Sequence, residues 1–199
     1  MPLKNMPLKT LIEPENNLDQ IWKVLTDEFE KACTVKRHSF RYVVLSTSNE
    51  VNVNSRWVVL RKFTANASFL IYTDARSEKV KEVQSNTSAN ILFYNDRKKL
   101  QVRVSGKVTI HQQNELTKKY WPGVKGASDK AYTSELAPGK LIENKEEGYR
   151  WSSSMDDANF VILEVIPSEI EALQLNGEHH VRCQFVKKDM DWESSFMVP

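Results

Sequence analysis

The sequence predicts a mainly β chain, an antiparallel barrel with helices packed on it. Three observations carry this. Runs rich in Val, Ile, Tyr and Phe recur at close spacing, as pleated, half-buried strands require. Turn residues separate them, among them Ser48-Asn49-Glu50, Asn95-Asp96 and Asn176-Gly177. Helical periodicity is confined to a few stretches. Strands joined by hairpin turns, with three helices, give a barrel with flanking helices. At 199 residues the chain is read as a single domain spanning 1–199.

Residues 1–15 contain Pro2, Pro7 and Pro14 and read as an irregular arm. Residues 16–33 read as a packing helix. Asn16 or Asn17 caps it, and Leu18, Ile21, Trp22, Leu25, Phe29 and Ala32 form its apolar stripe. Its charged face, Asp27, Glu28, Glu30 and Lys31, reads as solvated. Tyr42 to Thr47 is a strand. The next, Ser55-Arg56-Trp57-Val58-Val59-Leu60-Arg61-Lys62, carries a cation near each end. Ser68 to Tyr72 follows, then a short helix from about Ser77 to Gln84.

Ser88 to Tyr94 and Leu100 to Ile110 read as a hairpin, with Gly106 marking a bulge or bend. Gln112 to Tyr120 is a helix stopped at Trp121-Pro122-Gly123. Residues 123–156 show no clear period, and a segment this long is more often functional than idle. Two strands, Phe160 to Ile166 and Glu169 to Leu175, precede a last hairpin of Val181 to Val186 and Trp192 to Val198.

Composition narrows the function. A formal net charge of +2 without a basic aromatic stripe argues against nucleic acid. No apolar run is long enough for a membrane span. Cys33 and Cys183 make no metal or redox spacing, and no His or Cys cluster offers a metal site. A cytoplasmic location is expected. A strand pair that delivers hydroxyls and cations to a helix N-terminus suits a phosphate.

The motifs Ser55 to Arg61, Tyr72-Thr73, Ser77-Glu78-Lys79 and Gln101-Val102-Arg103, in that order, resemble the pyridoxamine 5'-phosphate oxidase superfamily. Asn176-Gly177-Glu178-His179 through Val198-Pro199 is similar to that family's C-terminal hairpin. The likeness spans roughly Phe40 to Pro199 and points to the oxidase-related branch rather than to the true oxidases. It implies an FMN-binding split barrel, with FMN at the interface of a homodimer. It further implies that Arg56, Thr73, Ser77 and Lys79 hold the phosphate, with Tyr72 beside them. Val58 and Val59 would offer backbone groups to the isoalloxazine, Arg61 would lie near the ring, and Gln101 would hydrogen-bond to ring or ribityl chain. Strict alternation sets Arg56 and Arg61 on opposite faces, so both reach one ligand only along a strand edge or across a bulge.

For a substrate, the resemblance implies Tyr120 and Ser128, with His180 and Arg182 from the C-terminal hairpin. The departures are informative. Val124, with Lys125 beside it, stands where the oxidases carry a phosphate-binding arginine, Glu78 replaces the arginine of Ser-Arg-Lys, Gln184 replaces a flavin-contacting arginine, and His180 and Arg182 appear in swapped order. The expected function is therefore an FMN-dependent oxidoreductase acting on a small substrate other than a vitamin B6 phosphate. The alternative is a non-catalytic FMN-binding protein with a storage, sensing or stress role.

Overall fold

The computed structural model describes residues 10–49, 51–124, 129–154 and 156–199. Most of the expected N-terminal arm, residues 1–9, lies outside these. Helix α1 (Leu18–Thr34) opens on a reciprocal cap: the Asn17 side chain accepts from the Gln20 N–H, and the Gln20 side chain accepts from the Asn17 N–H. Ile21, Leu25, Phe29 and Ala32 are buried on one face. Glu28 departs from the expected solvated face. It is buried, with its carboxylate 3.0 Å from His38 Nε2 and 2.8 Å from Lys31 Nζ.

The strands are β1 (Tyr42–Ser48), β2 (Val53–Phe63), β3 (Phe69–Asp74), β4 (Ser88–Asn95), β5 (Leu100–Gln112), β6 (Phe160–Gln174), β7 (Val181–Lys188) and β8 (Asp191–Met197). Helix α2 (Glu78–Ser85) follows β3, and α3 (Glu115–Tyr120) follows β5. All the strand pairings are antiparallel, in the order β3-β2-β1-β4-β5-β6-β7-β8. A further β3–β6 pairing closes the first six strands of that order into a barrel, as the hairpin-rich sequence led us to expect.

Four fully buried phenylalanines fill the interior. Phe29 of α1 lies 5.0 Å from both Phe69 and Phe93 and 6.2 Å from Phe40, measured between ring centroids. Each such ring contributes roughly 1.5–3 kcal/mol by leaving water. A second apolar cluster, Leu70, Val124, Tyr132, Phe160 and Ile162, lies on the outer face of β3 and β6. It seats the irregular segment after α3 against the barrel wall. That segment's described residues include three short 3₁₀ turns, Trp121–Gly123, Asp129–Ala131 and Lys145–Tyr149.

One element differs in kind. The two strands expected on either side of Pro167 are a single strand, β6. Proline lacks the N–H that a ladder needs, but here it faces a register shift between Ser105 and Gly106 of β5. The first half of β6 pairs with β3 and the second with β7, while β5 runs along both halves. Only glycine fits opposite the proline, since a Cβ at Gly106 would lie 2.2 Å from the Ile166 carbonyl oxygen. Gly106→Ala should therefore destabilise by on the order of 3 kcal/mol, lowering the melting temperature by roughly 6–12 °C. Thermal unfolding followed by circular dichroism tests this, and an unchanged midpoint would contradict the close approach.

Candidate functional site

The site begins with an irregularity in β2. Leu60 pairs with Ile71 and Lys62 with Leu70, so Arg61 is the extra residue of a bulge. Phe63 then packs toward the core in phase with Leu60 and Val58. β3 pairs with β2 only from Leu60 onward, so Val53 to Val59 leave a free strand edge that side chains of both faces reach. Arg56 and Arg61, on opposite faces of a regular strand, both line one cleft of about 310 Å³ at the edge of β2 and β3.

Beside them in that cleft are Tyr72 and Thr73 from the end of β3, and Ser77 and Lys79 from the start of α2. Val58 and Val59 complete the set, so the cleft gathers every residue expected to touch the cofactor except Gln101. The hydroxyls and the ammonium are linked. Lys79 Nζ donates to Thr73 Oγ1 at 3.1 Å, Thr73 Oγ1 lies 3.3 Å from Ser77 Oγ, and Ser77 Oγ donates to the Asp74 carbonyl at 2.7 Å. Ser77 thus occupies the N-cap of α2 without making a side-chain capping bond.

The electrostatics are one-sided. Arg56, Arg61 and Lys79 share the cleft, and among the described residues its lining includes one carboxylate, Asp74, held 2.7 Å from Arg76. Burial, with a further push from Arg56, lowers the pKa of Lys79 from the ordinary lysine value. Burial also raises the Tyr72 hydroxyl well above the usual tyrosine range, against the opposing pull of Arg61. The Arg61 guanidinium lies 5.7 Å from the centroid of the Tyr72 ring. Its buried Nε has no hydrogen-bond partner among the described residues. An orphaned donor beside two further cations and two hydroxyls fits a ligand carrying a phosphate and a ring rich in acceptors.

Arg56 is held from behind by residues the sequence reading did not anticipate. Its Nη2 lies 2.9 Å from the buried carboxylate of Glu82, which also accepts from Thr47 and Asn54. Lys79 and Glu82, three residues apart, share the stripe of α2 next to the inward-facing Val80 and Val83. That spacing was the available signal. Tyr132 and Pro138 also line the cleft and come from the segment that shows no periodicity, so no pattern announced them.

The other expected residues fall elsewhere. Gln101 lies on β5, paired with Tyr94 and Leu173, and one chain does not bring it to the cleft. Tyr120 is close by, with its ring 6.0 Å from that of Tyr72. Ser128 lies outside the described residues. His180 and Arg182 line a separate hollow at the start of β7, so within one chain they do not join the cleft. Arg182 is ion-paired at 2.8 Å with Glu171, which also binds Arg103.

Glu82 makes the anchor sensitive to pH. Burial raises its pKa, but hydrogen bonds from Thr47, Asn54 and Arg56 outweigh that and hold it below the usual carboxylate range. A carboxylate depressed in the folded state contributes stability above its unfolded pKa and loses it as pH falls through the folded value. Glu82→Gln should therefore cost about 3 kcal/mol at neutral pH. In urea unfolding, its difference from the parent protein should shrink in acid. A difference independent of pH would contradict the assignment.

Comparisons with known proteins bear on the fold and the cofactor. Residues 20–112 match the family model described as pyridoxamine 5'-phosphate oxidase, FMN-binding domain. Pyridoxine/pyridoxamine 5'-phosphate oxidase 2 of Hydrogenovibrio crunogenus is 24% identical over 207 residues, covering 99% of this chain and 97% of that protein. The corresponding oxidase of Legionella pneumophila strain Lens is 24% identical over 166 residues, covering 79% of this chain and 77% of its own length. Among solved structures, a pyridoxamine 5'-phosphate oxidase-related, FMN-binding protein from Nostoc punctiforme superposes with a TM-score of 0.70 at 21% identity, covering 89% of this chain and 97% of that one. PhzG from Burkholderia lata, solved with tetrahydrophenazine-1-carboxylic acid, gives 0.72 at 16% identity, covering 92% and 91%. These two structures share the split-barrel fold. The family model spans β1 to β5 and α2, the elements that supply most of the cleft, so residues 20–112 are similar to the FMN-binding domain of pyridoxamine 5'-phosphate oxidases.

Proposed function

We propose that this chain binds FMN in the cleft between β2 and β3 and acts as a flavin-dependent oxidoreductase on a small substrate. The observation that carries this reading is the convergence of Arg56, Arg61 and Lys79 with Thr73 and Ser77 at the start of α2. Arg56, Lys79, Thr73 and Ser77 would hold the phosphate, a dianion matched by cations, hydroxyls and a helix start. Val58 and Val59 would offer backbone groups to the polar edge of the ring. Arg61, braced against Tyr72, would set a positive charge beside the ring and turn its unpartnered Nε to an acceptor. FMN, when bound, supplies a ring that accepts or returns a hydride. The chain supplies position, charge and shelter.

Two features argue against a vitamin B6 phosphate as the substrate. Val124 is apolar and buried in the outer cluster. Arg182, the remaining cation of the expected substrate set, is engaged by Glu171. We read the substrate as a different small molecule.

Homodimerisation completes the reading. The outer face of β1, β2 and β4 exposes Tyr42, Trp57, Leu92 and Tyr94, and Trp57 also lines the cleft. Trp57 pairs with Val44, and Val44 with Leu92, so these side chains share a row. Gln101, beside Tyr94 on the neighbouring strand, adjoins that row. A second copy docked there would supply its Gln101 to the first copy's cleft.

Titration of flavin fluorescence tests the site. Arg56→Ala and Lys79→Ala should each weaken FMN binding roughly 10- to 100-fold, the range for charge-assisted hydrogen bonds. Because the Lys79 pKa is lowered and its charged form is the one that holds phosphate, affinity should be full at neutral pH. It should fall in alkali at a lower pH than for an unperturbed lysine. Lys79→Met should remove that limb. Protein that takes up no FMN at any pH sinks the proposal, and reduction of bound flavin by a substrate separates an enzyme from a carrier.

Gln101→Ala, though off the cleft within one chain, should also weaken FMN. Trp57→Glu should both weaken FMN and give a monomer in light scattering. An unchanged affinity in Gln101→Ala would remove the partner's contribution.

A further inference from the structure

The segment after α3 builds a second concavity against the cofactor cleft. Thr133 to Glu135 run alongside Arg150 to Ser152: Glu135 N donates to the Arg150 carbonyl at 3.0 Å and Ser152 N to the Thr133 carbonyl at 2.8 Å. Arg76, ion-paired with Asp74 of the cleft, donates to the Ser134 carbonyl at 2.9 Å and ties this loop to the end of β3. The loop encloses a groove of about 500 Å³. Ala131 and Pro138 line both groove and cleft, so the two concavities share a wall.

The chemistry of the groove is specific. Tyr149 and Trp151 stand 6.4 Å apart at an interplanar angle of 30°, and Leu136, Pro138 and Ile142 make the rest of the apolar surface. Lys130 and Lys140 are its charged residues, and no carboxylate lines it among the described residues. The Lys130 ammonium lies 4.6 Å from the Trp151 ring centroid, so cation and aromatic face meet at one point. Exposed aromatic and aliphatic side chains this close to a positive cleft form a surface for a flat, apolar anion.

Resting on the flavin-binding reading above, we propose that this groove is a second ligand site, bordering the cofactor cleft, that selects a planar aromatic carboxylate. Its ring packs on Trp151 and Tyr149, and its carboxylate meets Lys130 and Lys140. The wall formed by Ala131 and Pro138 lies between this ligand and the cofactor cleft, so occupancy of one is felt in the other.

Calorimetry on the FMN-loaded protein, with naphthoate and its neutral isostere naphthamide as probes, tests the assignment. Naphthoate should bind about tenfold or more tightly than naphthamide, the worth of one charge-assisted contact. It should also shift the visible absorbance of the flavin. Lys130→Met and Lys140→Met should bring naphthoate down to the level of naphthamide. Tyr149→Ala should weaken both probes, with FMN affinity unchanged in all three variants. Equal binding of the two probes, or naphthoate affinity indifferent to Lys130 and Tyr149, overturns the proposal. Binding without any change in flavin absorbance overturns the coupling between groove and cofactor cleft. A protein that binds naphthoate with this selectivity but takes up no FMN keeps the aryl-anion site and overturns the flavin reading instead.

Discussion

A buried carboxylate organises the functional end of this barrel. Glu82 reaches from α2 to β1 through Thr47 and to β2 through Asn54 and Arg56. An ion pair taken out of water repays its desolvation only when the remaining hydrogen-bond capacity is satisfied, and here several partners converge on one carboxylate. The result is positional. The helix that presents Ser77 and Lys79 is locked to the strand that presents Arg56, so the cations of the cleft are set before any ligand arrives. Such preorganisation lowers the ordering cost of binding a phosphate.

The bulge at Arg61 is the companion constraint. A regular strand sends neighbouring cations to alternate faces, and β2 departs from regularity between Leu60 and Lys62. Phe63 is thereby kept in the core while Arg61 is turned to the cleft. One extra residue thus keeps the core in phase while its own side chain lines the cleft, a use of bulges common beside functional sites.

Much of this was legible in the residues. Asn17 capped the first helix as its type and position indicated, and the aromatic and β-branched runs became strands with ends within a few residues of those expected. The cleft was legible because its cations and hydroxyls lie in two consecutive strands and the turn after them. Pro167 misled, because a proline normally ends a strand and only its partner, Gly106, makes it tolerable. Glu28 misled for a related reason, and Glu82 drew no reading at all: a carboxylate's buried role shows only once its partners, distant in sequence, are known. The wall supplied by Tyr132 and Pro138 has no periodic signature at all, since its place is set by the packing of Val124 and Tyr132 on Phe160.

The seating of α1 has a consequence for how the chain reaches its folded state. Trp22 packs 4.9 Å from Phe185 and 5.0 Å from Trp192, between ring centroids, joining the first helix to the last hairpin. A ribosome releases the helix long before β7 and β8 exist. Its indole face must therefore stay uncovered through nearly all of translation, a window in which a chaperone or a neighbouring nascent chain can reach it. Contacts of such wide sequence separation also form late in refolding, because the loop between them must be closed first.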